Sequence, residues 1–192
     1  VIAHNQHVVR IDREKKADIS YTIQKKIMDV LRMNIDSISG IIIEDYNKGV
    51  VVKDLIKQIA LLANEAGKPI TVDPKYNNFF EYKHVSVFKP NRKEAEEALG
   101  TRLRNEEDIQ RAGKSLLERL ESKNVLLTLG EHGMSLFESN GTISHMPTRA
   151  RNVADVSGAG DTVISTLTMA LVGGGSIKEA AALSNYAGGI VC

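Results

Sequence analysis

An α/β fold, with a mostly parallel central sheet and helices on both faces, is predicted by three features of this 192-residue sequence. Short apolar runs alternate with segments of helical periodicity along the chain. Two runs, Ser39-Gly40-Ile41-Ile42-Ile43 and Asn124-Val125-Leu126-Leu127-Thr128, are apolar without alternation, as strands covered on both faces are. Each run gives way to a polar loop, where ligands gather beyond the carboxyl ends of the strands in this architecture.

The elements follow in order. Residues 8–12 (Val8-Val9-Arg10-Ile11-Asp12) read as a short strand, and Ile23, Ile27, Val30 and Leu31 fall at helical spacing. After the run at 39–43 comes the polar loop Glu44-Asp45-Tyr46-Asn47-Lys48-Gly49. Val52, Leu55, Ile56, Ile59 and Leu62 then mark an amphipathic helix that stops near Gly67. Strands at 70–72 and 85–88 end in Asp73-Pro74-Lys75 and Lys89-Pro90-Asn91. Helices are expected over 91–100, with Ala95, Ala98 and Leu99 inward, and over 106–120 through Ile109, Ala112, Leu116 and Leu120. The strand at 124–128 ends in Leu129-Gly130-Glu131-His132-Gly133. Strands at 134–138 and 142–146 flank Ser139-Asn140-Gly141, a hairpin signal. Val163, Ile164, Leu167 and Leu171 share one face of a late helix.

The totals bound the function. The length suits one domain, and 42% hydrophobic with 26% charged residues is ordinary globular composition. A net charge of +1 offers no electrostatic footprint for nucleic acid or an acidic membrane surface. No run reaches the length of a membrane span and no secretory pattern opens the chain, so the cytoplasm is the expected location. A single cysteine, Cys192, excludes a disulfide framework and a cysteine-cluster metal site. The chain opens on Val1 without Met and closes on Cys192 within an apolar segment, from which a fragment of a longer protein is expected.

The stretch Asp155-Val156-Ser157-Gly158-Ala159-Gly160-Asp161-Thr162 leads from a small-residue turn into the late helix. A helix start of this kind presents unpaired backbone N–H groups and the positive end of a dipole, which together hold anions. Glycines let the backbone approach such an anion closely. A carboxylate beside a bound phosphate, as Asp161 would be, is naturally explained if it accepts the proton of an attacking hydroxyl. The same residues also suit a plain strand-to-helix turn with an acidic dipole complement.

Other clusters are double-valued too. Asn91-Arg92-Lys93-Glu94 forms a capping box, and it also places Asn91 and Glu94 on one helical face toward a hydrated Mg²⁺ and its phosphates. Asp73 and Lys75 around Pro74, and Asp45 with Lys48, are either turn residues or a hydroxyl acceptor beside a cation for a sugar phosphate. The five histidines are scattered without zinc-ligand spacing. Neither a P-loop, a dinucleotide Gly-x-Gly-x-x-Gly nor a Gly-x-Ser-x-Gly elbow occurs.

Taken together, three of these stretches resemble the ribokinase/PfkB family of sugar kinases. The octapeptide 155–162 is similar to the family's C-terminal signature, Thr128-Leu129-Gly130-Glu131-His132-Gly133 to its nucleotide loop, and Asn91-x-x-Glu94 to its magnesium and phosphate motif. Asp45-Tyr46-Asn47-Lys48-Gly49, Val72-Asp73-Pro74-Lys75 and Lys89-Pro90-Asn91 look most like the heptose-7-phosphate kinase branch found in bifunctional ADP-heptose synthases. The resemblance covers essentially the whole chain.

It implies a ribokinase-like fold and transfer of the ATP γ-phosphoryl group to a sugar hydroxyl, the anomeric one of a heptose 7-phosphate. Asp161 would be the catalytic base, with Gly158, Ala159 and Gly160 forming the anion hole. Asn91, Arg92, Lys93 and Glu94 would hold the phosphates, with Glu94 reaching Mg²⁺ through water. Thr128, Gly130, Gly133 and Asn185 would line ATP, and Asp45, Lys48, Asp73 and Lys75 would meet the sugar phosphate. The partners implied are ATP, Mg²⁺ and a sugar phosphate, without nucleic acid or membrane, and a homodimer is compatible. Another PfkB carbohydrate or nucleoside kinase, or a non-catalytic nucleotide- or sugar-binding fragment, is the alternative. Thr166 stands where the family prefers Ala or Gly. The family's first strand, its β lid and the companion nucleotidyltransferase domain have no counterpart here, so residues 1–192 are expected to be the C-terminal part of a single ribokinase-like kinase domain.

Overall fold

The computed structural model describes residues 2–3, 6–7, 16–148 and 158–191. The strand expected at 8–12 and the first residues of the signature, Asp155 to Ser157, lie outside them. At the N-terminus β1 (Ile2–Ala3) and β2 (Gln6–His7) form a small antiparallel pair.

The chain then builds a six-stranded sheet: β3 (Ile41–Glu44), β4 (Ile70–Asp73), β5 (Val87–Phe88), β6 (Asn124–Thr128), β7 (Met134–Glu138) and β8 (Ile143–Met146). Spatial order follows chain order; β3 to β6 are parallel, and β7 and β8 are antiparallel additions. The Asn-Gly hairpin forms as expected, with Gly141 at φ 90°.

Helices α1 (Tyr21–Asn34), α2 (Lys53–Glu65), α3 (Arg92–Leu99) and α4 (Glu106–Leu120) contribute to one core cluster with the sheet. Helices α5 (Ala159–Val172) and α6 (Ile177–Val191) contribute to a second cluster. Strand alternation sorts the two. Ile70, Val72, Phe88, Val125 and Leu127 join the α1–α4 cluster, whereas Val87 and Leu126 join the α5–α6 cluster. Thr71 points toward α5, where its hydroxyl meets that of Thr168 at 2.6 Å in a fully buried contact. Each fully buried aliphatic side chain in these layers stabilises the fold by roughly 1.5–3 kcal/mol.

The stripe on α1 differs from its expected composition. Ile27, Met28 and Leu31 face the core, while Ile23 and Val30 are exposed. At about 100° per residue Ile27, Leu31 and Met28 share an arc of roughly 100°, and Ile23, in the first turn, and Val30 lie about 90° and about 110° from its centre.

The parallel strands all run toward the same edge. Their ladder continues past the strand ends through Asp45 N–H to Asp73 O (3.0 Å) and Lys89 N–H to Val72 O (2.8 Å). Glu44, Asp73, Lys89 and Thr128 are thereby delivered side by side at one end of the sheet.

Candidate functional site

An open cleft of about 750 Å³ lies at this carboxyl edge. Its floor comes from the ends of β4, β5 and β6, one wall from the 129–133 loop and α6, the other from the first turn of α5. Asp73, Lys75, Asn91, Arg92, Thr128, Gly130, Gly133, Ala159, Gly160, Asp161 and Asn185, all singled out in the sequence, line it. They come from widely separated stretches and meet because the parallel strands end together.

Each wall has a local cause. Gly158 caps α5 at φ 81°, a conformation that costs glycine little, and turns the chain so that the helix opens toward the cleft. The first intrahelical bond runs from Thr162 N–H to Gly158 O (2.9 Å), so the amides of Ala159, Gly160 and Asp161 have no acceptor within the helix. Across the cleft, the 129–133 turn closes through Leu129 N–H to Gly133 O (2.8 Å). Gly133 sits at φ 83° against the Met146 carbonyl, where any Cβ would collide. Asn185, buried on α6, donates to the Pro147 carbonyl at 2.8 Å, tying that helix to the end of β8.

Asn91 and Glu94 form a complete capping box. Asn91 Oδ1 accepts from Glu94 N–H (2.9 Å), and Glu94 Oε2 accepts from Asn91 N–H (2.8 Å). Glu94 Oε1 pairs with the Lys75 ammonium. Burial pulls the Lys75 pKa down, but the Glu94 hydrogen bond and the charges of Glu94 and Asp73 outweigh it, and the net direction is up. Lys75 is thus a fixed cation at the cleft. Arg92 also lines the cleft and donates to the Leu103 carbonyl. Lys93 faces a separate groove beside Glu96, Glu97 and Asp108.

Three side chains to which the sequence reading gave no role join the site. Lys89 is 2% exposed, with its ammonium 2.9 Å from Asp73 Oδ2. A buried ammonium needs such a partner. Its sequence signal was a lysine directly following an apolar strand and preceding Pro90. Tyr46 donates its phenol to Asp161 Oδ2 at 3.3 Å. Glu44 stands in the same field: burial first, then the Asp161 and Asp73 charges, raise its pKa above the ordinary value, with Lys89 opposing.

Asp45 lies beneath its loop rather than along the cleft. It is buried, accepting from Asn47 N–H (2.8 Å), Tyr82 Oη (2.7 Å) and Asn78 Nδ2 (3.3 Å). Burial, then the Asp45 carboxylate, pushes the Tyr82 phenol far above its usual range, so it remains a donor. Lys48 is half-buried in the same loop.

The donor set fits a nucleotide. Backbone amides, glycines and fixed cations ring the cleft, as phosphate requires. Among the described residues no group of three or more His, Cys, Asp or Glu could cage a metal directly. Also among the described residues, no helix is long and apolar enough to cross a membrane.

Comparison with known proteins agrees with this geometry. The profile described as "pfkB family carbohydrate kinase" matches residues 6–192. The bifunctional protein HldE of Geobacter sulfurreducens is 42% identical over 190 residues, covering 99% of this chain and 39% of the relative. HldE of Nitratiruptor sp. is 40% identical over 191 residues, covering 100% of this chain and 40% of the relative. The chain therefore spans about two-fifths of the length of these relatives. Among solved structures, the tetrameric inhibited form of phosphofructokinase-2 from Escherichia coli superposes with a TM-score of 0.77 at 18% identity, covering 91% of this chain and 58% of that one. Ribokinase from Arabidopsis thaliana, complexed with ribose and ATP, gives 0.69 at 22% identity, covering 90% and 53%. These last two are likenesses of fold.

Proposed function

The chain belongs to the pfkB family of carbohydrate kinases, and from that premise we propose that it carries the ATP-binding and base-bearing part of a sugar kinase. The reaction is transfer of the γ-phosphoryl group of ATP to a sugar hydroxyl. The acceptor is the anomeric hydroxyl of D-glycero-β-D-manno-heptose 7-phosphate, a choice supported by about 40% identity to HldE proteins over the whole chain. In this reading residues 1–192 are the C-terminal part of a single ribokinase-like kinase domain.

One observation carries the proposal: Asp161 and the unpaired amides of α5 share a cleft with Asn91, Thr128 and the 129–133 loop. The residues divide the work. Thr128, Gly130, Gly133 and Asn185 line the nucleotide, while Asn91, Arg92 and Lys75 face its phosphates. Asp161 takes the proton of the acceptor hydroxyl, whose oxygen forms the new P–O bond as the bond to the leaving ADP oxygen breaks. The N–H groups at the start of α5 face the negative charge that spreads over the phosphoryl oxygens. Glu94 would hold Mg²⁺ through water when the ion arrives with ATP, and the ion would supply neutralisation of that charge.

The test is phosphorylation by the intact protein across a panel of sugars and sugar phosphates with ATP and Mg²⁺. Turnover on heptose 7-phosphate well above that on ribose, fructose phosphates and nucleosides is expected. Preference for another acceptor overturns the heptose assignment, and turnover on none, with ATP still bound, overturns the kinase.

A further inference from the structure

Tyr46 and Asp161 are 115 residues apart in sequence and hydrogen-bonded in space, Oη to Oδ2 at 3.3 Å. Tyr46 is 55% exposed, so packing alone does not hold it there. Its loop does. Below it, the buried Asp45 carboxylate receives Asn47 N–H on one oxygen and Tyr82 Oη on the other. Beyond it, Asn47 (φ 54°) and Gly49 (φ 77°) turn sharply, and the Gly49 carbonyl accepts from Ile19 N–H at 2.8 Å. Asp161, by contrast, is an exposed side chain in a first helical turn with open rotamer choices.

The geometry points to Tyr46 as the positioning residue of Asp161: a phenol on a braced turn that holds one carboxylate oxygen and leaves Oδ1 for the proton of the acceptor. This rests on Asp161 being the base. A base gains from being held in one orientation, because misplacement by about 1 Å can cost on the order of a hundredfold in rate. Tyr46 is suited to this role. Its pKa is raised above 10.0, first by the Asp161 charge, then by burial and by Glu44, so the phenol keeps its proton and remains a donor.

The experiment uses the intact protein with Tyr46→Phe, which keeps the ring and removes the hydroxyl. Turnover number should fall about tenfold with the KM for ATP and the melting temperature unchanged. Added to Asp161→Asn, the same change should cause no further loss. A readout independent of turnover is the titration of Tyr46 by NMR of ring-labelled tyrosine, its signal identified by its disappearance in Tyr46→Phe. That titration should move down toward the ordinary tyrosine value in Asp161→Asn. Unchanged turnover in Tyr46→Phe, a raised sugar KM at constant turnover number, or a Tyr46 titration indifferent to Asp161→Asn would each overturn the assignment. Should the protein phosphorylate no sugar, the kinase proposal fails, and the NMR titration still decides whether Tyr46 is tied to Asp161.

Discussion

The ammonium of Lys89 and the carboxylate of Asp73 stand 2.9 Å apart beneath Gly160, the second residue of α5. Two neighbouring strands thus end in a buried ion pair on which the helix that carries Asp161 is seated. Such pairs rarely add much net stability, but half of one is costly, because the remaining charge stays buried without compensation.

Lys89→Met should therefore destabilise the protein by about 3 kcal/mol. Adding Asp73→Asn should recover part of that loss, since the orphaned carboxylate is removed with it. Denaturant unfolding of the two variants checks both, and additive losses would show that the residues do not depend on one another.

Gly160→Ala separates folding from function. A Cβ there would meet Asp73 Oδ2 at 3.5 Å and Lys89 Nζ at 3.7 Å, which is ordinary contact. Alanine is also the better helix former by about 0.5–1 kcal/mol. Thermal stability should hold or rise slightly, while kinase turnover should fall if the α5 amides form the proposed anion hole, because the methyl group would crowd them. Unchanged turnover would show that the α5 start is not the anion hole.

Glu44 supplies a pH-dependent test. Its folded-state pKa is raised above 4.5, by burial and then by Asp161 and Asp73. Folding therefore favours the protonated form, and the stability contribution is full below 4.5 and lost as pH rises through the folded value. Glu44→Gln should raise the melting temperature at pH 7, and the advantage should vanish as pH falls below about 4.5. A constant difference across that range would mean that ionisation of Glu44 carries no cost.

Much of the fold was legible because it follows from local rules. The runs at 39–43, 70–72 and 124–128, the capping box at Asn91 and the hairpin at Asn140-Gly141 each have a signature within a few residues. The cleft residues were legible for a topological reason: a parallel sheet ends its strands on one edge, so Asp73, Asn91 and Thr128 had to be neighbours. Pairwise contacts were not. Nothing in the sequence says that Tyr46 reaches Asp161, or that the Asp45 carboxylate turns inward to Tyr82, because these depend on side-chain directions across a hundred residues or on a loop of unusual backbone. Ile23 and Val30 on α1 misled for the opposite reason, as apolar residues at roughly helical spacing that the observed stripe leaves outside.

Asp161 as the base of an ATP cleft is the claim on which the mechanism turns. Its most direct test is phosphoryl transfer by Asp161→Asn in the intact protein, measured beside the affinity for ATP with Mg²⁺. Turnover should drop about a thousandfold while ATP binds as tightly as in the wild type. Near-wild-type turnover in that variant would contradict it.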